Sequence, residues 1–254
     1  RIGLAYDVAG DGRTAVRVNF GIFHNATQAG ALSWRQALNP PHVYTPTIYY
    51  GNMSTLLQTS GVTFPSNPVY TVVRENRPPE MTNFQIGIQH ELGLGTVLDA
   101  AFVATRGKNL PQMRNINTIP QGSRFLAANE DPTRPGNALP DNFFRPFTGY
   151  GNIMQVINNG PSAYNALQVA INRRYTGGLE FTVAYTYSVA KDYTSADILY
   201  GNRSFIPYYQ DPQTYAYGLA DFDRPHNLVL SYNWDIPDPA SGVAAAIFGG
   251  WNLS

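Results

Sequence analysis

The sequence predicts an all-β chain: an antiparallel segment of a transmembrane β-barrel, about seven or eight strands of a larger wall. Three observations carry that prediction. Apolar and polar residues alternate with a period of two through segments of about 8–12 residues. The connections between these segments alternate between tight turns and very long polar loops. Aromatic side chains gather at the segment ends. Outer-membrane barrels combine short periplasmic turns with long extracellular loops and aromatic girdles. Their strands need about 9–11 residues to cross a bilayer at a tilt.

The segments follow in order. Residues 1–8 place Ile2, Leu4, Tyr6 and Val8 on one face, against Gly3, Ala5 and Asp7. Ala9-Gly10-Asp11-Gly12 is a turn signal. Residues 13–24 set Val16, Val18, Phe20 and Ile22 against Arg17, Asn19 and Gly21. A loop over residues 25–80 is rich in Pro, Asn, Thr and Tyr. Residues 81–92 alternate Phe84, Ile86 and Ile88 with Gln85, Gly87 and Gln89. Gly93-Leu94-Gly95 turns the chain into residues 96–105, where Leu98, Ala100 and Phe102 oppose Asp99. A second long loop spans residues 106–163. Residues 164–175 set Leu167, Val169 and Ile171 against Gln168, Ala170 and Asn172. Thr176-Gly177-Gly178 leads into residues 179–189, where Leu179, Phe181, Val183, Tyr185, Tyr187 and Val189 alternate with small polar residues. A third long loop covers residues 190–223. Residues 227–234 carry Leu228, Leu230, Tyr232 and Trp234, and a further strand starts at Trp251. The connection 235–250 breaks the alternation: a short turn is due there, yet it is long and holds Pro237 and Pro239. It reads as an elongated periplasmic turn.

Composition narrows the function classes. Charged residues make up 13% of the 254, about half of the ~25% usual in soluble domains. Net charge is zero, so there is no electrostatic footprint for nucleic acid. Without cysteine, neither a disulfide framework nor a thiolate metal site is possible. No apolar run approaches the ~18 residues of a membrane helix, so a spanning structure here has to be a barrel. The chain opens at Arg1 without an initiator Met and ends as a strand begins, so it is expected to be an internal piece of a longer protein.

Phe20, Phe23, Tyr185 and Tyr187 are expected at the outer girdle. Tyr175, Tyr232, Trp234 and Trp251 are expected at the inner one, where amphipathic rings suit a headgroup boundary. Parity puts Arg173 and His90 on the lipid face. Both lie near inner strand ends, where a long side chain reaches the interface at a cost of roughly 0–1 kcal/mol.

Several of these segments resemble a known family. Asn83-Phe84-Gln85-Ile86-Gly87-Ile88-Gln89-His90-Glu91-Leu92 and Ala101-Phe102-Val103-Ala104-Thr105-Arg106-Gly107 are similar to a hairpin of Oar-like TonB-dependent transporters of acidobacterial type. Tyr164-Asn165-Ala166-Leu167-Gln168-Val169 with Arg173-Arg174-Tyr175, and Phe181-Thr182-Val183-Ala184-Tyr185-Thr186-Tyr187-Ser188, resemble that family's next two strands. Gly218-Leu219-Ala220-Asp221-Phe222-Asp223-Arg224-Pro225-His226 resembles its re-entry motif, with Pro225 in place of an Arg. The resemblance implies that residues 1–254 are part of a receptor barrel of about 22 strands with an N-terminal plug, both completed outside this chain. It further implies energised uptake of a large solute (siderophore, glycan or peptide), no enzyme activity and no cofactor. The implied partners are outer-membrane lipid, the protein's own plug, the solute, and the TonB–ExbB–ExbD complex acting through the N-terminal part.

Candidate ligand contacts lie at the loops and the mouth. Asp221, Asp223, Arg224 and His226 sit where the third loop re-enters the wall; they read as an ion-paired junction or as a ligand or cation site. Tyr50, Tyr150 and Tyr200 each open a Tyr-Gly-Asn triplet, read as turn chemistry or as aromatic platforms for a sugar or peptide. Arg17, Gln85, Gln89, Glu91, Asp99, Asn172, Arg174 and Glu180 are expected to face the lumen, against plug or solute. No catalytic spacing or dedicated metal-ligand pattern appears. A barrel adhesin or enzyme, using groups such as Asp221 and His226, and a soluble β-sandwich are the alternatives.

Overall fold

The computed structural model describes residues 1–25, 35–43, 54, 68–75, 77–195, 206–207, 216–237, 242 and 249–254. All its strands join one sheet. The continuous wall is β1 (Ile2–Asp7), β2 (Thr14–His24), β4 (Glu80–Gly93), β5 (Thr96–Asn115), β6 (Ile153–Thr176), β7 (Leu179–Asp192), β10 (His226–Asp235) and β11 (Asn252–Leu253), in that order. Three short strands lie off this path: β3 (Val69–Val72), β8 (Ile206–Pro207) and β9 (Gly218–Leu219). Every neighbour on the path is antiparallel. The sheet is open, with β1 and β11 at its edges.

The tight turns gather at one end of the wall. Between β1 and β2, the Asp7 carboxylate accepts from the backbone N–H of Gly10 and Gly12 at 3.0 and 2.7 Å. Between β6 and β7, Gly177 and Gly178 both have positive φ (61° and 79°). That is the backbone of a two-residue turn whose twist matches its strands and which favours glycine. The connection 235–250 belongs to the same end, because it joins β10 to its antiparallel neighbour β11. It is an elongated hairpin. Asn252 Nδ2 closes its base on Asn233 Oδ1 and Asp235 Oδ1, both at 2.6 Å.

Register fixes the two faces, since residues opposite one another on neighbouring strands point the same way. One row reads Leu4, Val18, Ile86, Phe102, Leu167, Tyr187. The next toward the turns reads Tyr6, Val16, Ile88, Ala100, Val169, Tyr185, Leu228. The opposite face reads Ala5, Arg17, Gly87, Ala101, Gln168, Thr186, Asn227. No second sheet covers the apolar face among the described residues: Ile2, Leu4, Leu228 and Leu230 are each 60% exposed or more. A water-soluble sandwich would bury that face, so the arrangement corrects the sandwich alternative.

The polar exceptions on the apolar face are paired locally. His90 Nδ1 lies 2.7 Å from Oγ1 of Thr14, its register partner. Arg173 donates to the Thr176 carbonyl at 3.0 Å within its own turn. Of the girdle residues, Tyr187, Tyr175, Tyr232, Trp234 and Trp251 are exposed. Phe23 differs. Its odd position puts it on the polar face, where the Arg1 guanidinium lies 4.3 Å from its ring centroid.

The structure departs from the sequence reading most at the outer end. β5 runs on to Asn115 and β6 begins at Ile153, so this hairpin rises past the expected boundaries at 105 and 164. The 106–163 connection shrinks to residues 116–152, with three single-turn 3-10 helices. Register shifts at Gly107, Leu110 and Pro111 mark β-bulges, with Asn109 at φ 53°. These absorb residues that normally read as strand breakers. A Cβ on Gly107 would meet the side-chain ends of Ser162 and Leu110, which would have to move aside.

Above the wall the hairpin acquires new neighbours. β3 pairs parallel with β6, from Val69 opposite Ile153 to Val72 opposite Val156. β8 pairs parallel with β5 at Arg114 and Asn115. β3 precedes β4 yet pairs on the β7 side, while β8 follows β7 yet pairs on the β4 side. Each flanking loop therefore crosses the hairpin to its far edge. Met113, Met154 and Val156 form a small buried cluster, with Tyr70 and Val72 packed against it.

Replacing Val169, near the middle of the apolar face, with Arg is expected to destabilise the full-length barrel by about 2–4 kcal/mol in urea unfolding from micelles. Gln168→Arg, one residue away on the polar face, is expected to cost well under half as much. Equal costs would refute the facing.

Candidate functional site

The site is the outer rim, where three loops meet the top of the wall. Its centre is the β5–β6 extension. Successive residues Gln112 and Met113 are 2% and 3% exposed. Neighbours along a strand point to opposite faces, so β5 is covered on both faces at this level. Gln112 donates a short hydrogen bond to Asn159 Oδ1. Asn158 Nδ2 donates to the Arg77 carbonyl at 2.9 Å, anchoring the chain just before β4. Asn39, from the first loop, receives the Tyr70 N–H at 2.9 Å and donates to the Tyr70 carbonyl at 2.6 Å.

Asn117 organises the rest. It is 0% exposed. Its amide nitrogen donates to the carbonyls of Phe147, Tyr150 and Gly151 at 3.0, 3.1 and 2.7 Å. Its Oδ1 accepts the Phe147 N–H at 2.8 Å. Arg145 donates to the Asn117 carbonyl. One side chain thus replaces the ladder partners that the returning loop lacks. Beyond it the chain exposes Phe125, Phe143, Phe147 and Tyr150, with Phe125 at 92%. In a turn farther along this loop, Asp131 accepts from Thr133 Oγ1 and N–H at 2.6 and 2.9 Å, which holds its carboxyl below the ordinary value.

The re-entry junction is held by backbone hydrogen bonds rather than by the expected ion pair. Asp223 Oδ1 accepts the Ala190 N–H at 2.7 Å. Arg224 contributes its carbonyl, to Ser188 Oγ at 3.0 Å. Asp221 N–H donates to Ser195 Oγ at 2.8 Å, and that hydroxyl reaches both Asp192 oxygens at 3.1 Å. Ion pairs among the described residues lie elsewhere, at His24–Glu80 and Arg124–Asp141. His226 is separate from the carboxylates. It sits on the apolar face, with Nδ1 2.8 Å from the Tyr185 hydroxyl and its ring 5.2 Å from that of Tyr187. No group of three His, Asp or Glu side chains among the described residues can hold a metal ion.

Tyr150 is half-exposed at the rim, while Tyr50 and Tyr200 lie outside the described residues. Register places the lumen candidates on one face. Arg17 lies opposite Gly87, Gln85 opposite Asn19, and Gln89 between Ala15 and Asp99. Glu91 lies opposite Val97, Asn172 opposite Thr182, and Glu180 opposite Asn233. Arg174 continues that face beside the β4–β5 turn, its N–H donating to the Gly95 carbonyl at 3.0 Å. The residues that organise the rim, Asn117, Gln112, Asn158 and Asn39, were not among the sequence candidates. The signal available was the apolar run Ile153-Met154-Gln155-Val156-Ile157, which has strand character.

Asn117→Ala is expected to leave the Phe147 amide and three carbonyls without their partner, a loss of about 1–3 kcal/mol confined to the rim. Hydrogen exchange at Phe147 should accelerate about tenfold or more while amides in β6 and β7 below residue 162 stay protected. Unchanged protection at Phe147 would contradict this role.

Comparison with known proteins agrees with this geometry. The outer membrane transporter YddB from Escherichia coli has a similar fold, with a TM-score of 0.53 at 9% sequence identity. The match covers 91% of this chain and 26% of that one, so this chain spans about a quarter of its length. Among curated proteins none matches. The family described as "Outer membrane beta barrel domain" matches residues 1–254. The open wall, its exposed apolar face and this match make the chain a member of the outer membrane beta barrel domain family, and its place is the outer membrane.

Proposed function

We propose that this wall belongs to an Oar-like TonB-dependent receptor that takes up a large solute across the outer membrane. In this reading the barrel has about 22 strands and an N-terminal plug. The TonB–ExbB–ExbD complex energises it through the N-terminal part of the receptor. The chain itself catalyses nothing and needs no cofactor.

The observation that carries the reading is the construction of the rim. Two long loops cross a raised hairpin and pair with its edges. They do so above a polar face of Arg17, Gln85, Gln89 and Asp99. A wet lumen under an organised outer vestibule suits capture followed by passage. An enzyme needs convergent titratable groups, whereas His226 packs with Tyr185 and Tyr187 and the Asp223 carboxylate is engaged by the Ala190 N–H. The fold likeness to an outer membrane transporter supports the same reading. The exposed rings at Phe125, Phe143 and Tyr150 fit a solute with apolar or sugar-ring faces.

Two strains test the proposal: one deleted for the full-length gene, and one carrying the gene with residues 118–146 replaced by a short Gly-Ser linker. Both are expected to lose growth on one solute among a panel of iron complexes, glycans and peptides. Uptake by the wild type should stop when an uncoupler collapses the proton gradient. Uptake that continues without the gradient would remove the TonB-dependent reading. Hydrolysis of the solute by the purified barrel would favour the enzyme alternative.

A further inference from the structure

The apolar face gives way to charged residues at its outer end, where His24, Glu80 and Lys108 share one register row and two cations stand in the row beneath it. Arg106 of β5, Ala163 of β6 and Lys191 of β7 stand opposite one another in a single register row. Strands lie about 4.8 Å apart, so the two cations flank the alanine at roughly 10 Å from backbone to backbone. A cleft of about 600 Å³ opens here, with Tyr187 and Tyr217 among its walls, within the range of small-molecule sites. Among the described residues no carboxylate lines it.

The cations are prepared for an outside partner. Arg106 donates to the carbonyls of Thr105 and Tyr164 at 2.9 and 3.0 Å and to Asn165 Oδ1 at 2.7 Å. Three of its five N–H groups are used, and the guanidinium is held against the wall with the others available. Lys191 is exposed and has no ion-pair partner among the described residues. Tyr217 is fixed by an edge contact with buried Tyr193, ring centroids 5.9 Å apart.

Height decides what that partner is. Arg106 is ten residues beyond Thr96; at about 3.3 Å per residue and a tilt near 40°, it lies about 25 Å above the inner turns. That is the upper edge of the ~25 Å apolar band. The row below the cations is Ala104, Asn165 and Val189, and the next is Phe102, Leu167 and Tyr187. The surface thus grades from two cations to hydrocarbon within two rows, the profile of a lipid with an anionic head and acyl chains.

We propose that Arg106 and Lys191 bind the phosphate of a phosphorylated, multiply acylated lipid of the outer leaflet, whose chains lie along Phe102 and Leu167. The proposal goes beyond the transport reading and rests only on the orientation of the wall in the membrane. Failure of its test leaves the uptake experiment unaffected.

The test uses the full-length barrel in a nonionic detergent, with native mass spectrometry counting bound diphosphoryl lipid A or its fully dephosphorylated form. Wild type should bind the phosphorylated lipid, and Arg106→Gln/Lys191→Gln should weaken it about tenfold or more. The dephosphorylated lipid should bind weakly and equally to both. The charge-preserving Arg106→Lys/Lys191→Arg should retain most of the binding; its loss, with heat-modifiable mobility intact, counts against the clamp. Inorganic phosphate at millimolar concentration should not displace the lipid. Equal binding by the Gln variant, or displacement by inorganic phosphate alone, would overturn the proposal.

Discussion

The rest of the structure depends on one constraint: inside hydrocarbon, each backbone N–H and C=O must be paired within the wall. The antiparallel ladders from β1 to β10 supply that pairing. Once the ladder is fixed, the period of two leaves no freedom in facing. A one-residue slip in β6 would bring Gln168 and Asn172 to lipid and take Leu167 and Ile171 into the lumen. The same rule explains why His90 and Arg173, which fall on the wrong face, are each tied to a partner near the inner end.

Where the hydrocarbon ends, the constraint changes character. The β5–β6 hairpin continues beyond its partners β4 and β7, and its freed edges are taken up by β8 and β3. Water could satisfy those edges, so the pairing there serves another end. It draws the first and third loops across the second and fixes all three relative to the lumen below. The side-chain amides of Asn117, Gln112 and Asn158 do the same work one by one, each donating to an acceptor on another segment.

The wall was legible in the sequence because its information is local. β7, from Leu179 to Asp192, alternates without interruption, and its boundaries differ from expectation only at the outer end. The rim was less legible for two reasons. Gly107, Pro111, Gly160 and Pro161 read as breakers, and only the bulged register shows how a strand accommodates them. The partners of Asn117 lie some thirty residues away, at Phe147, Tyr150 and Gly151, and no periodicity encodes such a contact. Phe23 shows a third limit. Its aromatic character suggested a girdle, whereas strand parity places it in the lumen under Arg1. At the re-entry motif the charges of Asp223 and Arg224 suggested an ion pair, but the carboxylate is used on a backbone N–H instead.

The central claim is that one face of this sheet meets lipid and the other meets water, up to a boundary near residue 163. The chain has no cysteine, so single cysteines at successive positions from 156 to 173 of the full-length protein can each carry a nitroxide. In reconstituted membranes, collision with oxygen and with a water-soluble nickel chelate should alternate out of phase along 164–173. Oxygen should dominate at positions 167, 169 and 171, and nickel at 168, 170 and 172. From 156 to 162 oxygen should dominate at neither parity, because that stretch stands beyond the hydrocarbon. In-phase exposure to both reagents along 164–173, or alternation with the two faces exchanged, would contradict the account.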